Sequence, residues 1–165
     1  MHVLNDHSYC CVMGADVCAS GEPKIADAAA CADWHKTRFE IRDQDAKRLG
    51  LPFFLSEFGA CLTETACTTE IKQVTDESDK ILAGWAYWQF KFFEDLTTSA
   101  GTGSEGFYNK DGTLQDWKVK ALARSYLMAT QGVPTLNSFD TETATLVASY
   151  TLGVKIVSPT IIYLN

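Results

Sequence analysis

Residues 51–59, LPFFLSEFG, carry four apolar side chains (Leu51, Phe53, Phe54 and Leu55) into Ser56 and Glu57 and close on Phe58 and Gly59. A short unbroken apolar run bounded by turn residues is the pattern of a strand buried on both faces, as in a parallel sheet. Pro52 fits only near its start, where no ladder donor is required. Strict alternation puts Phe53, Leu55 and Glu57 on one face. A carboxylate at the end of such a strand is costly to bury unless a partner or a reaction uses it. In a parallel α/β barrel, the carboxyl ends of the strands carry the chemistry. Glu57 is therefore read either as a catalytic carboxylate or as a buried acid in a structural ion pair.

Upstream, HVLNDHSY (2–9) reads as the end of a strand with His7 and Tyr9 on one face. A long loop rich in Ala, Gly, Asp and Cys covers 10–31. Helical spacing runs over 34–49 through Trp34, Arg38, Ile41, Asp45 and Leu49, and Gly50 is a fitting stop. Downstream of Glu57 a helix starts at Thr68 or Thr69, with Ile71, Val74, Ser78, Ile81 and Leu82 on or near one face. GWAYWQF (84–90) predicts a third strand, with Gly84, Ala86 and Trp88 toward a crowded barrel interior and Trp85, Tyr87 and Gln89 opposite. After a second long loop (91–113), a helix is predicted over 115–130, with Trp117, Leu122, Tyr126 and Ala129 as its stripe. Composition changes near 136. The Thr-, Val- and Tyr-rich runs at 139–152 and 160–164 predict antiparallel strands.

The expected fold class is α/β: about the last three units of a (β/α)8 barrel over 1–133, then the beginning of an antiparallel β-sandwich over 136–165. A complete eight-fold barrel takes about 250 residues. The 165 residues thus read as the C-terminal part of a longer protein, with Met1 an internal methionine. Cut from its neighbours, such a piece is expected to fold poorly.

A net charge of −7 without any run of Lys or Arg argues against nucleic acid and anionic membranes as partners. No stretch is long and apolar enough to cross a bilayer. Six cysteines fall in two loops, Cys10, Cys11, Cys18 and Cys31 in one and Cys61 and Cys67 in the other. They lack metal-ligand spacing, so no metal is expected and secreted, disulfide-stapled loops are. Cys61 with Cys67 closes a small loop after Glu57. Pairing in the other cluster stays open, and plain buried thiols are the alternative.

Three strand ends now carry groups that can converge: His7 and Tyr9, then Glu57, then Trp88. A nucleophilic carboxylate, a Tyr hydroxyl to hold it and a Trp to stack under a sugar ring make a coherent glycosidase set. His7 binds a substrate hydroxyl or orients Tyr9. Taken singly, a Tyr or Trp at a strand end is packing, and a lone His is structural. A non-catalytic carbohydrate- or lipid-binding module is the alternative, using Trp88 with Phe92, Phe93, Phe107 and Tyr108.

His7-Ser8-Tyr9 resembles the His-x-Tyr at the sixth strand of family-five glycoside hydrolases of clan A. Leu55-Ser56-Glu57-Phe58-Gly59 resembles their seventh-strand nucleophile motif, and Trp85-Ala86-Tyr87-Trp88-Gln89-Phe90 the eighth strand with its stacking Trp. The endoglycoceramidase and glucosylceramidase branch is the most similar. Arg124-Ser125-Tyr126 through Pro159-Thr160-Ile161-Ile162-Tyr163 resembles its barrel-to-sandwich junction. The resemblance implies a retaining β-glycosidase acting on glycosphingolipids, with Glu57 as nucleophile, His7, Tyr9 and Trp88 as substrate-binding residues, and no cofactor. It implies an extracellular or lysosomal protein of the secretory pathway, a monomer at full length, in transient contact with a lipid surface. The family's general acid/base is the Glu of an Asn-Glu-Pro at the fourth strand, which is expected before residue 1. Gly21-Glu22-Pro23 is only superficially similar, and Glu22 is not given that role.

Overall fold

The computed structural model describes residues 2–10, 24–59, 63–91 and 105–165. Three parallel strands, β1 (Leu4–His7), β2 (Phe53–Glu57) and β3 (Gly84–Trp85), lie side by side in chain order. Helix α1 (Ala28–Leu49), preceded by a 3-10 turn at Ile25–Asp27, links β1 to β2, and α2 (Glu64–Lys80) links β2 to β3. Parallel neighbours need such crossovers, and the helices cover one face of the sheet.

Helix α1 starts six residues earlier than its spacing suggests. It ends as predicted at Gly50, whose left-handed φ of 66° lets its N–H reach the Ala46 and Lys47 carbonyls. Its buried face is not the predicted one. Cys31, His35, Phe39 and Ala46 are buried, whereas Ile41 and Leu49 are exposed. The true stripe contains a histidine, which pattern reading treats as polar. Helix α2 buries Ile71, Val74 and Ser78 as expected, along with Cys67, Glu70 and Thr75. The Thr75 and Ser78 hydroxyls donate to the Ile71 and Val74 carbonyls, 2.9 Å each, so their burial leaves no unmet donor.

The core gathers Phe39 of α1, Leu55 and Phe58, and Cys67, Ile71 and Val74 of α2, with Leu122 closing one side. Phe58 meets Trp85 and Tyr87 edge to face, both at 5.5 Å. Those two rings therefore share the helix-side face of the third strand, as alternation predicts. That strand is shorter than predicted. Regular pairing ends at Trp85, and a single bridge, Gly59 to Trp88, continues it.

The predicted helix over 115–130 is corrected: α3 spans only Asp116–Leu122, and Ala123 is already extended. Arg124 then turns into the interior. It donates to Thr75 Oγ1 and the Phe139 carbonyl, 3.1 Å each, and pairs with Asp79. The chain continues as β4 (Tyr126–Ala129), inside the stretch read as barrel, and pairs with β7 (Ile161–Tyr163). The hairpin of β5 (Gly132–Asp140) and β6 (Thr145–Leu152) completes the antiparallel part. Among the described residues the elements are thus one three-stranded parallel sheet and two two-stranded ladders, neither a closed barrel nor a sandwich.

Cys10 is bonded to Cys31, which settles one pairing left open by the sequence. Cys67 is also disulfide-bonded, and Cys61, its expected partner, lies outside the described residues.

Candidate active site

The site is built where β1 and β2 end. Their parallel register runs Leu4↔Phe53, Asn5↔Phe54 and Asp6↔Leu55, then slips so that His7 lies opposite Glu57. Phe53 and Leu55 pack toward the helices, with Phe53 edge-on to Phe39 at 5.9 Å. Asp6, opposite Leu55, also faces the helices and pairs with Arg38 and Arg42 of α1. The slip leaves Ser56 as the extra residue and turns Glu57 to the face of His7. Glu57 therefore does not share a face with Phe53 and Leu55. Strict alternation fails at this residue because an irregularity in the ladder re-aims one side chain, a device common beside active sites.

The Tyr9 hydroxyl donates to Glu57 Oε1 at 2.6 Å, and His7 Nδ1 lies 3.6 Å from Oε2. The Glu57 side chain is 26% exposed, so it is part-shielded yet reachable from solvent. Burial, and then the hydrogen bond and charge of Glu57, push the Tyr9 hydroxyl far above its ordinary range. Tyr9 therefore stays a donor at any physiological pH. Arg38 Nε donates to the His7 carbonyl at 2.8 Å while the same guanidinium holds Asp6, which fixes the end of β1 against α1.

Trp88 reaches the site through its backbone. Its N–H donates to the Phe58 carbonyl at 2.7 Å, one residue past Glu57. Gly59 makes this approach possible, since a Cβ there would stand 2.1 Å from the Trp88 carbonyl oxygen. The described residues thus bring His7 and Tyr9 onto Glu57 and set the Trp88 main chain beside its strand.

Two charged residues were not foreseen. Glu105 is buried, and its carboxyl is raised by burial, with Lys118 opposing the rise and Glu57 adding to it. Lys118 is fully buried and donates from Nζ to the Gly106 carbonyl at 3.0 Å. Glu105 sits in a Gly-rich loop, where sequence offers no periodicity to flag it. Lys118 is a charged residue on the inner side of a short helix, against the usual pattern. Glu22, Phe92 and Phe93 lie outside the described residues. Among the described residues no three His, Cys, Asp or Glu side chains converge as a metal site requires.

No protein-family model matches the chain, and no curated protein does. Solved structures do. Endo-glycoceramidase II from Rhodococcus sp. matches at a TM-score of 0.60 and 28% identity, over 82% of this chain and 28% of that one. The same enzyme as a lactosyl-enzyme intermediate matches at 0.61 and 28% identity, over 83% and 28% of the two chains. Its ganglioside GM3 complex matches at 0.64 and 25% identity, over 96% and 32%. The chain spans about a third or less of that enzyme's length. The likeness seen at three strand ends therefore extends over most of the chain in three dimensions: this protein resembles the endoglycoceramidases of glycoside hydrolase family 5.

Proposed function

We propose that this chain supplies the nucleophile side of a retaining β-glycosidase acting on glycosphingolipids. The supporting observation is the Glu57 carboxylate at the end of the middle strand, held by the Tyr9 hydroxyl at 2.6 Å and facing His7. One Glu57 oxygen attacks the anomeric carbon while the glycosidic C–O bond breaks and the leaving oxygen takes a proton from a general acid. Water, deprotonated by that same group, then releases the sugar from Glu57. Tyr9 fixes the carboxylate rotamer through the oxygen it binds and leaves the other lone pairs for attack. His7 lies where a substrate hydroxyl can be bound, and the Trp88 ring supplies a flat apolar platform for the sugar. On this reading the general acid comes from an Asn-Glu-Pro segment preceding residue 1, and the 165 residues alone do not turn over.

The lactosyl-enzyme intermediate and the GM3 complex recorded for the Rhodococcus enzyme support a covalent mechanism and a glycolipid substrate here. The Cys10–Cys31 disulfide supports passage through the secretory pathway. The test is Glu57→Gln in the complete reading frame, with release of oligosaccharide from GM3 as the readout. Turnover is expected to vanish while the melting temperature holds. Retained turnover would remove Glu57 from the mechanism. A complete parent protein that binds GM3 without cleaving it would instead make this a binding module.

A further inference from the structure

Ser8 stands between His7 and Tyr9, but its side chain meets the helices rather than Glu57. Its Oγ lies 2.8 Å from His35 Nδ1, and His35 Nε2 lies 2.6 Å from Glu70 Oε1. All three residues are buried, with 1%, 0% and 4% of their surface exposed. His35 comes from α1 and Glu70 from α2, so the chain of contacts ties both helices to the end of β1. With Glu70 ionised, Nε2–H donates to the carboxylate, and Nδ1 accepts the Ser8 O–H. The Ser8 main-chain N–H donates to the Glu57 carbonyl at 3.0 Å. On the far side of Tyr9, Cys10 is bonded to Cys31, one turn before His35 on the same helix face.

The order Ser8–His35–Glu70 is that of a nucleophilic triad. Its Oγ is enclosed, however, and the Ser8 N–H that could stabilise an oxyanion is committed to Glu57. No acyl group can reach it, so a second hydrolytic activity is excluded. A buried chain of polar contacts is also a poor way to gain stability, because apolar side chains of the same shape in place of both partners do about as well or better. What the His35–Glu70 pair adds is direction. It fixes the rotamer of Ser8, and Ser8 fixes both the carbonyl of Glu57 and the turn that carries Tyr9.

We propose that His35 and Glu70 act through Ser8 as positioning residues for the Tyr9–Glu57 pair, an inference that rests on Glu57 being the nucleophile. Displacing a nucleophile by about 1 Å costs on the order of 100-fold in rate without touching the groups that bind substrate. In the complete enzyme, assayed on 4-nitrophenyl β-lactoside, Ser8→Ala should lower kcat about 10- to 100-fold with KM within about twofold. Ser8→Thr, which keeps the hydroxyl, should restore most of the loss. An unchanged kcat in Ser8→Ala, with only a lower melting temperature, would overturn the proposal. Should Ser8→Ala fail to fold, Glu70→Gln keeps the shape and an acceptor for His35 and is judged by the same two outcomes. Glu57→Gln, run alongside, separates the two inferences, because its retained activity would defeat the nucleophile assignment itself.

Discussion

Tyr9 and Glu57 are 48 positions apart, and a single donated hydrogen bond of 2.6 Å joins them. Hydrogen bonds to a charged group contribute about 1.5–3 kcal/mol. Because Tyr9 holds the attacking carboxylate in one rotamer, Tyr9→Phe should lower kcat about 10- to 100-fold through lost orientation. Steady-state kinetics on the complete enzyme check it, and a kcat equal to the parent's would show that Tyr9 only fills space. Of Trp88 only the main chain is set beside the Glu57 strand, while His7, Tyr9 and Glu57, which meet, were legible in the sequence as residue types at strand ends. The geometry that turns Glu57 toward His7 was not. Alternation is a rule of regular strands, and the register slip at Ser56 depends on the neighbouring strand, which no local pattern encodes. Glu105 was missed for a related reason, since it is buried in an irregular segment where no repeat marks it.

Among the elements, β1 is short, with four residues and, among the described residues, one paired edge. Its attachment to α1 is electrostatic. Asp6 accepts from Arg38 at 2.7 Å and from Arg42 at 2.6 Å, and Arg42 also reaches Asp45. Burial tends to raise the Asp6 carboxyl, but hydrogen bonds from Arg42 and the His7 N–H and the charge and hydrogen bond of Arg38 outweigh it and hold it below the usual carboxylate range. A carboxyl lowered on folding adds stability that is complete above its unfolded pKa of about 3.9 and is lost as pH falls through the lower folded value. Asp6→Asn should therefore lower the urea midpoint at about pH 6, and the gap to the parent should narrow as pH falls below the ordinary carboxylate range. A gap that persists in acid would mean that packing, not charge, holds β1. Sequence reading found the existence of α1, its Gly50 stop and the core face of α2, because apolar spacing and a glycine carry those signals locally. It placed a long helix over 115–130 because Trp117, Leu122 and Tyr126 share helical spacing. Tertiary pairing prevailed there: Arg124 is drawn to Asp79, and Tyr126 stacks on Tyr163 at 5.1 Å.

The molecule as a whole leaves apolar surface that its own described elements do not cover. Phe54 stands on the sheet face away from the helices. It lines an open cavity of about 500 Å³ with Leu82, Trp85, Tyr126 and Met128. The β5–β6 hairpin shows Val133, Val147 and Leu152 to solvent, each more than half exposed. Among the described residues β1 and β3 have no outer neighbour. Open ladder edges and exposed apolar faces are what other strands pair with, within one chain or between chains. A parallel sheet in particular is stable when both faces are covered. Expressed by itself, the 165-residue chain should therefore associate. Light scattering should report species above 18.2 kDa, bound ANS should fluoresce, and heating should give no cooperative transition at monomer mass. A single sharp melt of a monodisperse monomer would show that the helix-side core around Phe39, Leu55 and Phe58 is sufficient by itself.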